Sequence, residues 1–133
     1  MKTQFLQIAA NPSNTAKVLE FVEDALNNEH IPVKTIHKVL ICTDEIFANI
    51  AQYAHADATE IRCSVSDNQV ILEFIDDGIP YNPLETPEPD IAQSAEERTI
   101  GGCGIHIVRK LVNHIEYKYI DQKNVLSFSI QKE

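Results

Sequence analysis

Apolar residues change their spacing near residue 55, and that change leaves few folds open to this chain. Before it, Ala16, Leu19, Val22, Ala25 and Leu26 recur at helical spacing, which predicts a helix to about Asn28. Ile36, Leu40, Thr43, Phe47 and Ile50 step by four and three and predict a longer helix from about Val33 to Ala54. After it the period is two. Ile61, Cys63 and Val65 alternate within Glu60–Ser66, and Val70, Leu72 and Phe74 alternate within Gln69–Asp76. Asp67-Asn68 between these strands has the composition of a hairpin turn. A first strand over Thr3–Ala10 precedes the helices and ends at Asn11-Pro12, a helix cap followed by the residue best suited to a first helical position.

From Asp77 to Thr99 the periodicity is lost. This stretch holds Pro80, Pro83, Pro87 and Pro89 with several acidic residues, and only Ile91–Glu97 has the pattern of a short helical turn. A loop of this length inside a small domain is usually functional or disordered. Gly101-Gly102-Cys103-Gly104 then opens a third helix to about Asn113, followed by strands Ile115–Asp121 and Val125–Gln131. The 133 residues suffice for one core, so a single domain over 1–133 is expected.

Charge and cysteine content exclude several functions. Eleven Lys and Arg against twenty Asp and Glu give a formal charge of -9. A surface that tracks nucleic acid or binds anionic membrane needs a basic stripe, so neither is an expected partner. Cys42, Cys63 and Cys103 are odd in number and widely spaced, which suggests neither a disulfide framework nor a zinc site. With no cleavable leader pattern and no uninterrupted apolar span, a cytoplasmic location is expected.

Three groups of residues have the chemistry of a binding site. Glu45 and Asn49 are one helical turn apart and project from one face amid Ile41, Ile46, Phe47 and Ile50. Such a pair either lines a pocket or forms a solvated stripe. Asp76 ends the row Val70, Leu72, Phe74, so alternation turns its carboxylate toward the core side, where it can accept a hydrogen bond from a ligand amine. Asp76-Asp77-Gly78 is also a good turn, and Gly78 suits either a turn or close approach of a ligand. Gly101, Gly102 and Gly104 are three of only four glycines and meet a helix start, whose free N–H groups suit phosphate. They also suit a hinge. No Lys-Ser/Thr follows them and no strand directly precedes them, so neither a P-loop nor a dinucleotide fingerprint is present.

In order and spacing, Glu45-x-x-x-Asn49, Asp76-x-Gly78-x-Pro80 and Gly101-Gly102-Cys103-Gly104-Ile105 resemble the GHKL ATPase superfamily. Thr43–Ile50, Asp77–Leu84, Glu97–Gly102, Ile107–Val112 and Asn124-Val125-Leu126 are similar to its anti-sigma-factor serine/threonine kinase branch, so the likeness covers nearly the whole chain. Departures are Tyr53-Ala54-His55 where many relatives have His-Ala-Tyr, Cys103 for a common leucine, and Pro80 where histidine-kinase relatives have glycine. Cys103 is read as a small core-facing residue, and Ser127, on the face opposite Leu126, Phe128 and Ile130, is left out of the site.

The resemblance implies an α+β, two-layer α/β sandwich of the Bergerat ATP-binding type, with a mostly antiparallel sheet and helices on one face. It implies ATP with Mg²⁺: Asn49 on the metal, Asp76 on the adenine amino group, Ile79–Ile100 as a lid, and Gly78, Gly101, Gly102 and Gly104 at the nucleotide. Glu45 would be the general base for a serine or threonine hydroxyl, and Arg98 would reach a phosphate or pair with Glu96 or Glu97. The implied partners are a sigma factor and a STAS-domain anti-anti-sigma protein, and family members commonly form homodimers. A stand-alone domain of this size is expected of this branch rather than of sensor histidine kinases, which carry a phosphoacceptor helix pair. A nucleotide-gated binding module without transferase activity is the alternative; a detached piece of a larger phosphatase or sensor assembly is a third.

Overall fold

The computed structural model describes residues 1–85 and 100–132, with backbone alone for 100–103. Its elements run β1 (Lys2–Ala9), α1 (Thr15–Asn28), α2 (Val33–Tyr53), β2 (Ala58–Val65), β3 (Gln69–Asp76), α3 (Ile100–Leu111), β4 (His114–Ile120) and β5 (Lys123–Gln131). The strands form one antiparallel sheet in the order β1-β2-β3-β5-β4. β5 returns past β4 to lie beside β3, which puts the ends of β3 and β5 next to each other. The α+β, two-layer fold is the expected one.

Local chemistry explains the element ends. Asn11 caps a short 3-10 turn, Pro12–Asn14, by accepting from the Ser13 N–H at 2.9 Å, and α1 continues from it. The chain leaves α1 and α2 through His30 and His55, both with positive φ, and turns from β4 to β5 through Asp121 and Gln122, also positive. Two successive left-handed residues make the tight turn that matches the twist of a hairpin. This turn sets the register in which Tyr117 faces Leu126 and Tyr119 faces Asn124.

One face of the sheet is covered by helices. Ile61, Cys63, Val70, Leu72, Phe74, Leu126, Phe128 and Ile130 join Val18, Val22, Leu26, Val39, Ile46 and Phe47 in a single core. Phe74 and Phe128 stack across β3 and β5 with centroids 6.2 Å apart. Among the described residues the opposite face carries no helix, with Phe5 70% exposed on it, an arrangement common in antiparallel sheets. The buried stripe of α1 is Val18, Val22, Ala25 and Leu26, whereas the expected Ala16 is exposed. Val18 presents more apolar area than Ala16, and α1 settles with the larger side chain inward. Burial pushes the thiols of Cys42 and Cys63 up to about 12, so both act as packing residues.

Among the described residues no helix is long and apolar enough to cross a membrane. The helical turn expected at Ile91–Glu97 lies outside the described residues, as do Arg98 and the side chain of Cys103.

Candidate nucleotide site

The site lies where α2 crosses the ends of β3 and β5. Helical spacing puts Glu45 and Asn49 side by side, and the Asn49 Nδ2 donates to Glu45 Oε2 at 3.0 Å. Asn49 is buried and Glu45 half-buried. Because Nδ2 is engaged with the carboxylate, the Asn49 carbonyl oxygen is the atom this side chain has to offer a ligand. Burial pushes the Glu45 carboxyl above the usual carboxylate range; the Asn49 hydrogen bond opposes this and the Asp44 charge adds to it.

Gly104 stands directly against Glu45. A Cβ at Gly104 would lie 1.9 Å from Glu45 Oε1 and 2.0 Å from its Cδ. The carboxylate therefore rests on the bare backbone of α3, a contact invisible in the sequence, where Gly104 is grouped with the glycines expected at the phosphates. Gly101 and Gly102 lie in the first turn of α3, at the end of that helix which favours anions.

Asp76 closes β3 and is 3% exposed. Its Oδ1 accepts from the Gly78 N–H and from Asn124 Nδ2, each at 2.9 Å. Gly78 is required by packing: a Cβ there would lie 2.1 Å from the Ala54 carbonyl oxygen, which accepts from the Ile79 N–H at 2.8 Å. Burial raises the Asp76 carboxyl above its ordinary value, the bonds from Asn124 and Gly78 oppose the rise, and Asp77 adds to it.

Asn124, Tyr117 and Tyr81 have no site role in the sequence reading, although Asn124 and Tyr81 fall within segments that carry the resemblance. Asn124 pairs with Asp76 across β3 and β5 and is 4% exposed. It accepts from the Tyr81 N–H at 3.0 Å and from the Tyr117 hydroxyl. A signal for it exists: alternation back from Ile130, Phe128 and Leu126 lands on Asn124, as alternation forward from Val70 lands on Asp76. On the other side of Asp76, β2 supplies Thr59, whose fully buried Oγ1 has no hydrogen-bond partner among the described residues. Ser127, opposite Glu73, is on the helix-free face.

A small cavity joins these groups. Ile46 and Ile50 of α2 line it beside Asp76, Asn124, Tyr81 and Tyr117, and its volume of about 10 Å³ leaves room for about one water at most. Tyr81 leans on Tyr53 with centroids 5.4 Å apart, and burial, then Tyr53 and Glu45, push its hydroxyl up to about 12. A cavity of this size is too small for a purine, so some of its lining would have to move to admit one.

The donor set nevertheless fits a magnesium nucleotide. Asp76 offers a buried acceptor among apolar walls, as an exocyclic amine requires, and Asn49 offers a hard oxygen. Among the described residues no group of three or more His, Cys, Asp or Glu side chains is placed to hold a metal. Mg²⁺ is commonly held by one or two protein groups and the phosphates of its substrate, so the residue that would hold it is Asn49.

The raised Asp76 pKa has a consequence that can be measured. Its folded-state pKa exceeds the unfolded value, so the favourable contribution is complete below the unfolded pKa and is lost as pH rises through the folded one. At neutral pH the buried carboxylate therefore costs stability. Asp76→Asn keeps an oxygen for Gly78 and Asn124 and removes the charge. The variant is expected to melt at or above wild type at neutral pH, to lose that margin in acid, and to show no stabilisation by Mg²⁺-ATP. Thermal melts across pH, with and without nucleotide, check all three.

Comparison with known proteins agrees with this architecture. The model of the histidine kinase-like ATPase domain matches residues 8–130. The serine/threonine-protein kinase BtrW of Bordetella bronchiseptica is 23% identical over 132 residues, spanning 96% of this chain and 93% of that protein. Among solved structures, the RsbU and RsbW domains of Rv1364c from Mycobacterium tuberculosis align at TM-score 0.70 and 9% identity. That match covers 99% of this chain but 33% of the other, so this chain spans about a third of that protein's length. The catalytic domain of the histidine kinase ThkA aligns at TM-score 0.51 and 13% identity over 97% of both chains. The solved structures share the fold.

Proposed function

Given that the chain belongs to the histidine kinase-like ATPase domain family, we propose that it is a cytoplasmic, ATP-dependent serine/threonine protein kinase. In this reading it acts as an anti-sigma factor that phosphorylates a STAS-type anti-anti-sigma partner, with the whole chain as one ATP-binding domain. The observation that carries the reading is the half-buried Glu45 carboxylate, hydrogen-bonded to Asn49 on the same helix as Ile46 and Ile50, which line the cavity that holds Asp76. The kinase name of the Bordetella relative supports it.

Each residue then has a task. Asp76 accepts the adenine amino group, with Gly78 beside it. Asn49, its amide turned by Glu45, presents its carbonyl oxygen to Mg²⁺, which when bound neutralises phosphate charge. Gly101 and Gly102 offer backbone N–H groups to the phosphates, and Arg98 adds a positive charge from the lid. Glu45 takes the proton of the partner's hydroxyl as that oxygen attacks the γ-phosphorus and the bond to the β-phosphate oxygen breaks. Phosphoryl transfer asks a protein chiefly for this positioning and charge compensation.

The test has two stages. Mg²⁺-ATP at about a hundred times its dissociation constant should stabilise the fold by about 2.7 kcal/mol, on the order of 10 °C in melting temperature. Labelled ATP with candidate STAS domains should then place label on a partner serine or threonine. Absence of any thermal shift rejects the nucleotide site. Tight binding without transfer to any STAS domain rejects the kinase and leaves the nucleotide-gated module.

A further inference from the structure

Asp76 has two cross-strand neighbours, Thr59 on β2 and Asn124 on β5, and only Asn124 holds it. The orientation of the Asn124 amide is dictated by its surroundings. The Tyr81 N–H can only donate, so the atom 3.0 Å from it is the amide oxygen, which also accepts from the Tyr117 hydroxyl. The amide nitrogen then faces the Ile79 carbonyl at 2.8 Å, which can only accept, and donates as well to Asp76 Oδ1 at 2.9 Å. Every hydrogen-bonding position of this amide is used.

The effect on Asp76 is one-sided. Its Oδ1 takes the Asn124 and Gly78 donors, so the carboxylate plane is held and Oδ2 is the oxygen left for a ligand. A fixed carboxylate oxygen accepts from an amine and repels a carbonyl. We propose that Asn124 is a specificity-determining positioning residue: by locking Asp76 with one acceptor oxygen outward, it makes the site select a base with an exocyclic amine at that point over one with a carbonyl. The proposal rests on the nucleotide reading of the site. Asn124 also binds the backbone on both sides of Pro80, so the same amide ties the acceptor to the start of the loop that leaves β3.

Without the amide donor, the Asp76 carboxylate turns about its last torsion and admits water between itself and the base. Water donates as readily as it accepts, so an amine and a carbonyl become closer to equivalent. A group that serves packing alone would behave differently, because its loss weakens both nucleotides alike. Sites built to hydrogen-bond a ligand group discriminate steeply against its replacement.

The test measures dissociation constants for Mg²⁺-ATP and Mg²⁺-GTP by calorimetry in wild type, Asn124→Leu and Asn124→Ser, each below its own melting temperature. Asn124→Leu keeps nearly the same shape and adds no charge while removing both donors; Asn124→Ser is neutral and too short to reach Asp76 and Ile79 together. Wild type is expected to prefer ATP by at least a hundredfold, and each variant to lose at least tenfold of that ratio. A ratio unchanged in both variants overturns the proposal, whatever the affinities do. If wild type binds neither nucleotide, the nucleotide reading itself fails, and that outcome is distinct from an unchanged ratio.

Discussion

Glu45→Gln is expected to slow phosphoryl transfer to a partner hydroxyl by about 10²- to 10⁴-fold, the usual contribution of a general base, while Mg²⁺-ATP binds nearly as in wild type. The two halves of this expectation come from different atoms. Glutamine keeps an oxygen where Glu45 Oε2 accepts from Asn49 at 3.0 Å, so the Asn49 carbonyl stays turned toward the metal position. What it loses is the capacity to take a proton. Glu45→Ala removes both and should weaken nucleotide binding as well, which makes the pair of variants more informative than either.

Burial raises the Glu45 carboxyl above the carboxylate range, with the Asn49 bond opposing and Asp44 adding. A base must be deprotonated to work, so the acid limb of the wild-type rate profile should lie at higher pH than for an ordinary glutamate. Single-turnover transfer with labelled ATP, followed across pH, measures both effects. Full transfer by Glu45→Gln would remove Glu45 from the chemistry.

Gly78→Ala and Gly104→Ala are expected to fail in opposite ways. At Gly78 the new methyl meets the Ala54 carbonyl oxygen at 2.1 Å and its carbon at 2.9 Å. Neither can swing aside, because that carbonyl is backbone and is bound to the Ile79 N–H. Overpacking of this kind costs about 1–3 kcal/mol, and the shift also disturbs the Gly78 donor to Asp76. Stability and nucleotide affinity should fall together.

At Gly104 the methyl meets only the far end of the Glu45 side chain, which can rotate away. Alanine is favoured over glycine inside a helix by about 1 kcal/mol, so the fold should be as stable as wild type or more so. The displaced carboxylate no longer holds Asn49 or faces the reacting hydroxyl, and transfer should drop by at least about tenfold if Glu45 is the base. Urea unfolding and transfer rates measured on both variants separate the outcomes. Loss of stability with full activity in Gly104→Ala would contradict the role given to its contact with Glu45.

Much of the molecule was legible in one dimension because its physics is local. A spacing of four on a helix puts Glu45 beside Asn49 whatever surrounds them, and alternation along β3 turns Asp76 the same way as Phe74. Capping at Asn11 and the hairpin at Asp67-Asn68 follow from residues that are neighbours in the chain; the Ser66 N–H donates to the Gln69 carbonyl across that turn. The first helix shows the margin of such reasoning, since its spacing was read correctly but its buried stripe contains Val18 and excludes Ala16.

The rest of the site depends on which segments meet. Gly104 seats Glu45 because α3 packs against α2, whereas from sequence it belonged with its neighbours Gly101 and Gly102. Asn124 locks Asp76 because the Asp121-Gln122 turn sets the register of β5, and β5 returns to pair with β3. By itself, the sequence determined the described elements, the faces taken by Glu45, Asn49 and Asp76, and the family, since these depend on periodicity and short-range order. Tertiary structure alone decided how the site residues are held. A carboxylate's orientation is set by the donors around it, and those donors come from chain segments that only folding brings together.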